Sequence, residues 1–167
     1  FGSGASHLIS GHHIAHDQLE QALANFLKRD AAITFTSGYM ANLAILQSLA
    51  NKGDLIIADK LNHASLIDGV QLSQAESSRY PHCDLKVLEN RLKKSAANKF
   101  VVTDSVFSMD GDLVPLRELV EISERYECIL MVDEAHATGV LGKRGSGATE
   151  HFGVEDRVPV VMGTLSK

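Results

Sequence analysis

Residues 115–136 decide the fold, and they read PLRELVEISERYECILMVDEAH. Leu116, Leu119 and Ile122 recur at the spacing of one helical face, and the proline that opens the stretch suits the first position of a helix. Ile129–Val132 is a short apolar run, which is typical of a strand buried on both faces. The stretch therefore predicts an amphipathic helix followed by a buried strand, which is a building unit of α/β proteins.

The same alternation extends in both directions from this stretch. Helices are predicted at residues 17–29, 39–50, 64–73 and 84–96, and strands at residues 32–35, 55–58, 100–102 and 158–162. Asp17 is the predicted N-cap of the first helix, and Gly53 is a stop signal after the second. Pro159 argues against an interior position for the last strand. The pattern predicts an α/β fold with a mostly parallel sheet flanked by helices.

Length and composition favour one well-buried domain, since the chain has 167 residues. The net charge of -5 argues against nucleic acid or an anionic membrane surface as the main partner. Cys83 and Cys128 are too far apart for a CxxC pair, which favours reduced thiols and a cytoplasmic location. No apolar run approaches the ~20 residues of a transmembrane helix, and no export signal is visible. Because the chain opens on Phe1 and stops at Lys167, we expect an internal segment of a longer polypeptide.

Polar residues follow the predicted strands where a parallel sheet binds its ligands. In open α/β sheets the ligand lies outside the carboxyl ends of the strands. These polar residues are Ser37-Gly38-Tyr39, Asn62-His63, Asp104–Asp110 with Ser105 and Ser108, Asp133–His136, and Thr164 with Ser166 and Lys167. Gly38 lets a ligand approach the backbone closely, and the helix that begins there offers free N–H groups that suit a phosphate.

Each of these groups has an ordinary structural explanation when it is taken alone. Ser37-Gly38 could be a plain turn and helix cap, His63 a packed histidine, and Lys167 a solvated charge. Asp133 could be a metal ligand, a structural cap or the partner of a cationic ring nitrogen. Together they provide phosphate donors, a flat stacking side chain, a carboxylate and an amine. A pyridoxal cofactor needs this set of groups.

Six motifs resemble those of the α-oxoamine synthases in order and spacing, from the first residue to the last. They are FGSGAS (1–6), TSGYMAN (36–42), DKLNHAS (59–65), DSVFSMDGD (104–112), VDEAH (132–136) and GTLSK (163–167). The resemblance implies the large domain of a fold type I pyridoxal 5'-phosphate enzyme, without its N-terminal segment and its small C-terminal domain. It also implies a homodimer with active sites at the subunit interface. His7 is a departure, because family members usually have arginine there.

The resemblance also implies a reaction. This is the decarboxylative condensation of L-alanine with a pimeloyl thioester of CoA or of a carrier protein. Branches of the family that use glycine with acetyl-CoA or succinyl-CoA are the close alternatives. Both readings need the same cofactor, so the choice between them does not change the predicted site.

Roles for the site residues follow from the same resemblance. Gly38 and Tyr39 would bind the cofactor phosphate through the backbone, with Thr164 and then Ser166 as further donors. Ser108 and His136 would hydrogen-bond the phenolic oxygen of the cofactor. The implied catalytic residues are Lys167, which carries the imine and moves the substrate proton, His63, which stacks on the ring, and Asp133, which pairs with the pyridine nitrogen.

The competing classes find less support in the sequence. Asp133–His136 also spells the signature of one group of helicase ATPases, but no GxxxxGK[ST] loop precedes it. His12 and His16 could bind a metal ion, but no third ligand is apparent, and a turn with hydrogen-bonded histidines is preferred. No metal site is therefore predicted. A dinucleotide fingerprint and a GxSxG elbow are both missing from the sequence. A non-catalytic partner subunit is a further alternative, against which the joint presence of the lysine, the aspartate and the ring-stacking histidine argues.

Overall fold

The computed structural model describes residues 2–165 and 167, and the chain divides after residue 35 into two compact units. The first unit contains a π-helical turn, His7–Gly11, and helix α1, Ile14–Leu27. The predicted helix is confirmed, but its start and its cap are wrong. His13 occupies the N-cap position and Asp17 lies inside the first turn. A carboxylate is favourable there too, because a helix N-terminus carries partial positive charge.

Residues 31–35 belong to no strand, so the strand predicted at residues 32–35 is wrong. The carboxylate of Glu20, on α1, accepts the backbone N–H of Thr34 at 2.8 Å and its hydroxyl at 2.9 Å. The bond from the backbone of Thr34 is the main reason that the pKa of Glu20 is lowered. Since a strand needs its N–H groups for a neighbouring strand, this segment is held by a side chain instead of by a sheet.

The second unit is a five-stranded sheet with helices before and between its strands. In chain order its elements are α2 (Gly38–Leu49), β1 (Leu55–Asp59), α3 (Ala64–Leu72), β2 (Glu76–Tyr80), α4 (Leu85–Leu92), β3 (Lys99–Asp104), α5 (Leu116–Arg125), β4 (Ile129–Asp133), α6 (Ala148–Phe152), a 3₁₀ turn (Glu155–Arg157) and β5 (Val160–Met162). The strand order is β2-β1-β3-β4-β5, and all the paired strands run parallel. The predicted mostly parallel sheet is confirmed.

Several boundaries differ from the prediction for local reasons. Strand β2 is missing from the prediction because its sequence, ESSRY, contains no apolar run, and it lies exposed at the sheet edge. The helix predicted at residues 84–96 ends at Leu92. Pro115 is the N-cap of α5 instead of its first residue. Pro159 lies just before β5, which forms the other edge of the described sheet, where a proline is tolerated.

Across residues 2–165, no helix has both the length and the apolar character needed to cross a bilayer.

Successive residues of the central strands point into two separate apolar layers. Ile57 and Val101 pack with residues of α4 and α5 on one face, whereas Ile56 and Val102 pack with residues of α2 and α3 on the other. All four side chains are 0% exposed. Because side chains alternate along a strand, burial on both faces leaves the strand ends as the place where the sheet can present polar groups.

Glu134 follows β4 directly and holds the start of α6. Its carboxylate accepts the backbone N–H of Ala148 at 2.9 Å and that of Thr149 at 2.7 Å. Gly147 precedes this helix with a φ of 123°, and a Cβ there would lie 1.4 Å from Oε2 of Glu134. We expect Gly147→Ala to lower the free energy of unfolding of the full-length protein by about 3 kcal/mol or more, because backbone strain adds to the displacement of a buried carboxylate.

Gly153→Ala is the matched control for this prediction. Gly153 also has a positive φ, 68°, but nothing lies within 4 Å of a Cβ built there. The left-handed backbone alone should cost about 1 kcal/mol. Denaturant unfolding of the two variants checks the difference, and equal losses would show that the contact with Glu134 contributes nothing.

Candidate active site

A cavity of about 180 Å³ lies at the carboxyl ends of β1, β3, β4 and β5, with the first residues of α2 and α3 in its wall. Seven predicted site residues line it: Gly38, Tyr39, His63, Asp133, His136, Thr164 and Lys167. Ser108 is not among the lining residues. It is exposed on the loop after β3, so its contact with a cofactor stays a prediction. Ser166 lies outside the described residues.

The start of α2 forms one wall of the cavity. Ser37 is the N-cap, and its hydroxyl accepts the backbone N–H of Met40 at 3.2 Å. The first N–H groups of a helix lack partners within the helix, so this end suits an anion such as a phosphate. A Cβ on Gly38 would meet the side chain of Met162 at 3.6 Å, an ordinary contact. Packing within the protein therefore does not require glycine here, and the close approach of a phosphate to Gly38 stays a prediction.

Tyr39 has its side chain engaged with the neighbouring helix. Its phenol donates to the carboxylate of Asp68 on α3, and this hydrogen bond raises the pKa of Tyr39. The predicted role of Tyr39 is a backbone contact to phosphate, and this side-chain bond leaves the backbone available for it.

Asp133 ends β4 and is 3% exposed. Its Oδ2 accepts from Nδ2 of Asn42 at 2.7 Å, and its Oδ1 accepts the backbone N–H of Ala135 at 2.8 Å. Burial raises the pKa of Asp133, whereas these two hydrogen bonds oppose the rise by favouring the ionised form. These bonds fix the carboxylate in place, and it can accept a further hydrogen bond from a donor in the cavity.

His63 is positioned by the end of β3. The side chain of Asn62 donates to the carbonyl of Val102 at 2.9 Å and accepts the backbone N–H of Asp104 at 3.2 Å. The backbone N–H of His63 donates to the carboxylate of Asp104 at 2.7 Å. Three hydrogen bonds thus tie the turn after β1 to the neighbouring strand, which holds His63 at the cavity.

Asp104 lines the cavity although the sequence pattern assigns it no role beyond its place at a strand end. Burial raises its pKa to about 7, and the negative charge of Asp133 adds to the rise. Asp104 is therefore partly protonated near neutral pH. The cavity consequently carries less negative charge than two fully ionised carboxylates would give it.

His136 and Lys167 lie next to each other at the ends of β4 and β5. Nζ of Lys167 is 3.4 Å from Nε2 of His136. Burial lowers the pKa of His136, and the positive charge of Lys167 lowers it further. The imidazole is therefore mostly neutral at pH 7, so it can accept a hydrogen bond from the amine.

A histidine on the loop after β2 lies between two carboxylates, one at the end of β1 and one on the loop after β3, and no sequence pattern reveals it. Nδ1 of His82 lies 3.1 Å from the fully buried carboxylate of Asp59, and its Nε2 lies 2.5 Å from Asp112. Asp59 also accepts the backbone N–H of Cys83 at 2.9 Å. Only an imidazolium can donate from both ring nitrogens, so this arrangement favours protonated His82.

The stability of the full-length protein should depend on pH through His82. Burial alone would lower the pKa of His82, but the hydrogen bonds to Asp112 and Asp59 outweigh it and raise the pKa. A raised folded-state pKa gives stability that is complete below the ordinary histidine pKa of about 6.5 and is lost as pH rises through the folded value. The difference in unfolding free energy between wild type and His82→Gln should therefore shrink from pH 6 to pH 9 in urea titrations.

Asp112→Asn is the matched variant, because it removes one of the two carboxylates and keeps the ring. It should weaken the pH-dependent part of the difference. A difference that stays constant with pH would contradict the protonated bridge.

Histidines of the first unit make hydrogen bonds within the turn, as the sequence predicts. Nε2 of His12 lies 2.7 Å from Asp17, and Nδ1 of His16 accepts the backbone N–H of His13 at 3.0 Å. The expectation that no third ligand is near is wrong, because His7 joins this cluster with ligand atoms within 4.8 Å of the other two. The turn of the chain at His7–Gly11, which brings them together, has no sequence signature.

The chain belongs to the aminotransferase class I and II family, whose family model matches residues 2–167. Two curated relatives are named 8-amino-7-oxononanoate synthase. The protein of Herminiimonas arsenicoxydans is 52% identical over 170 residues, which cover 99% of this chain and 44% of the relative. The protein of Azoarcus sp. (strain BH72) is 53% identical over 167 residues, which cover 99% and 43%. The chain thus spans less than half the length of these relatives.

Solved structures share the fold. Sphingomonas wittichii serine palmitoyltransferase matches with a TM-score of 0.96 and 42% identity over 99% of this chain and 42% of that chain. A serine palmitoyltransferase from S. paucimobilis, described with bound PLP and myriocin, matches with a TM-score of 0.95 and 40% identity over 99% and 43%. The 8-amino-7-oxononanoate synthase of Francisella tularensis matches with a TM-score of 0.75 and 42% identity over 92% and 42%. The fold is that of fold type I pyridoxal-phosphate enzymes, and these neighbours are α-oxoamine synthases.

Proposed function

We propose that a full-length protein containing these residues is a pyridoxal 5'-phosphate-dependent 8-amino-7-oxononanoate synthase. It condenses L-alanine with pimeloyl-CoA or a pimeloyl carrier protein and releases carbon dioxide and the carrier thiol, in biotin biosynthesis. The observation that carries the proposal is that the amine of Lys167 and the buried carboxylate of Asp133 line one cavity. Relatives of that name, at 52% and 53% identity, support the choice within the family.

The residues of the cavity fit this cofactor in charge and in donor type. The start of α2, capped by Ser37, presents the positive end of a helix dipole to an anionic phosphate. Asp133 offers an anionic partner to a protonated ring nitrogen, and Lys167 offers an amine for covalent attachment. When bound, the cofactor supplies an electron sink that stabilises negative charge on a substrate carbon.

Each of the site residues then has a defined role. Lys167 holds and moves the substrate proton at Nζ, beside the neutral imidazole of His136. Asp133 stays fixed as the partner of the ring nitrogen, through its bonds to Asn42 and to the backbone. The remaining assignments follow the family resemblance: phosphate contacts from Gly38, Tyr39 and Thr164, ring stacking by His63, and hydrogen bonds to the phenolic oxygen from Ser108 and His136.

The cofactor assignment can be tested directly on the full-length protein. It should show a visible absorption band that borohydride abolishes, and peptide mapping should then find the reduced cofactor on Lys167. A label on another residue, or no label, would refute the assignment.

Turnover decides the substrates. Alanine, glycine and serine should each be paired with short, dicarboxylic and long acyl-CoA donors, and the fastest pair should be alanine with pimeloyl-CoA. A preference for glycine with acetyl-CoA or succinyl-CoA would reassign the protein to 2-amino-3-ketobutyrate CoA ligase, 5-aminolevulinate synthase or another α-oxoamine synthase. A correctly folded full-length protein that binds no cofactor would instead be a non-catalytic partner subunit.

We also propose that the full-length protein is a homodimer and works in the cytoplasm. The family resemblance supports the homodimer. The half-buried free thiols of Cys83 and Cys128 support a reducing compartment. Light scattering of the full-length protein tests the first proposal, and localisation of a tagged copy tests the second.

A further inference from the structure

A chain of three hydrogen bonds joins His63 to Asp133 through two residues to which the sequence pattern assigns no role. Nδ1 of His63 lies 2.7 Å from Oγ of Ser65, which lies 2.8 Å from Nδ2 of Asn42. The same Nδ2 lies 2.7 Å from Oδ2 of Asp133. Asn42 is 0% exposed and Ser65 1%. Because water hardly reaches Asn42 and Ser65, the donors and acceptors of these residues themselves set the direction of the bonds they make.

The direction of the bonds is fixed first at Asn42. Its Nδ2 carries two hydrogens and faces two oxygens, one on Asp133 and one on Ser65. The opposite orientation of the amide would place its carbonyl oxygen against a carboxylate, so that two acceptors would meet. Oδ1 of Asn42 is buried without a partner among the described atoms, so no bond at that position favours the opposite orientation of the amide. Nδ2 therefore donates one hydrogen to each oxygen.

Ser65 passes this direction on to the histidine. Its oxygen accepts from Asn42 and lies 2.7 Å from Nδ1 of His63. The backbone N–H of Ser65 donates to the same nitrogen at 3.2 Å. Because a backbone N–H can only donate, Nδ1 must present a lone pair, and the hydroxyl hydrogen of Ser65 then points at that lone pair as well. A neutral imidazole then carries its proton on Nε2.

We propose that Asn42 and Ser65 are positioning residues that hold His63 in the Nε2–H tautomer. The ring then brings a hydrogen-bond donor to the cavity, and it cannot remove a proton from a substrate through Nε2. Removal of the substrate proton is left to Lys167. The catalytic meaning rests on the proposed function, whereas the tautomer does not.

Nitrogen-15 NMR of the full-length protein labelled at histidine, as microcrystals, tests the tautomer without any activity measurement. The signals of His63 are identified by their loss in His63→Gln. Wild type should show a protonated Nε2 and an unprotonated Nδ1, and Ser65→Ala should show a mixture of tautomers or the opposite one. Ser65→Thr, which keeps the hydroxyl, should restore the wild-type pattern. A proton on Nδ1 in wild type overturns the proposal.

Ser123→Ala is the matched control, because Ser123 is a buried serine of α5 whose hydroxyl has no partner among the described atoms. It should leave the signals of His63 and the turnover unchanged. A change equal to that of Ser65→Ala would mean that loss of any buried serine disturbs the site, which overturns the assignment to Ser65.

Kinetics tests the positioning role. Ser65→Ala and Asn42→Ala should lower kcat by about tenfold to a hundredfold, with the KM for alanine changed by less than about threefold. Ser65→Thr should recover most of the loss. An unchanged kcat in a variant whose tautomer has changed overturns the positioning role. If wild type itself has no turnover, the proposed function fails, and the NMR result still decides the tautomer.

Discussion

Lys167→Ala in the full-length protein should lower turnover by at least about a thousandfold, because the change removes both the covalent attachment point and the group that moves the substrate proton. The cofactor should still bind, since the start of α2 and Asp133 remain in place. Borohydride should no longer change the absorption of the cofactor by reducing an imine at residue 167. Single-turnover kinetics and peptide mapping measure the two effects.

Lys86→Ala is the control for loss of a lysine. Lys86 is exposed on α4, away from the cavity lining, so its removal should leave turnover and cofactor attachment at the wild-type level. Normal turnover in Lys167→Ala would end the interpretation of this protein as an enzyme of this class.

Asp133→Asn should lower turnover by about a hundredfold to a thousandfold, the range found when one fixed electrostatic partner of a reaction is removed. The amide has nearly the shape of the carboxylate, so the side chain should remain beside Asn42 and Ala135. It has no negative charge to keep a ring nitrogen protonated, and this loss weakens the electron sink. Steady-state kcat and the pH dependence of the visible absorption of the cofactor report the change.

Asp54→Asn separates this effect from a simple loss of folding. Asp54 is also buried, at 4% exposed, and accepts the backbone N–H groups of Asn51 at 2.8 Å and Asn98 at 3.0 Å. These bonds lie next to the starts of β1 and β3 and outside the cavity lining. Asp54→Asn should therefore reduce stability and keep kcat, whereas Asp133→Asn should reduce kcat. Parallel losses in both variants would attribute the effect to folding.

The positions of the site residues along the chain could be predicted from the sequence because the relevant signals are local. Apolar runs mark the strands, and the residues that follow them directly lie at the ligand-binding edge of a parallel sheet. His63, Asp133 and Lys167 follow predicted strands in this way, their roles come from the family resemblance, and all three line the cavity. Ser108 shows the limit of the argument, because a loop that leaves a strand end can carry its residues away from the cavity.

The hydrogen bonds that organise the site could not be predicted, because they join residues far apart in the chain. Asn42 and Ser65 are separated by 23 positions, and Asn42 and Asp133 by 91. Asn42 lies on a helix and looks like an ordinary surface asparagine in the sequence. It is buried only because α2 packs on the sheet. The strand predicted at residues 32–35 is wrong for the same reason, since a carboxylate 14 positions earlier takes the N–H of Thr34.

By itself the sequence determined that the chain alternates helices with buried strands, and which polar residues stand where those strands end. Periodicity and turn residues act within a few positions of each other, so they can be read from the chain alone. Only the tertiary structure decided that the order of strands is β2-β1-β3-β4-β5, and that the carboxylate of Asp133 shares a cavity with the amine of Lys167. Burial, pKa shifts and the direction of hydrogen bonds depend on distances between elements, and no local pattern encodes those distances.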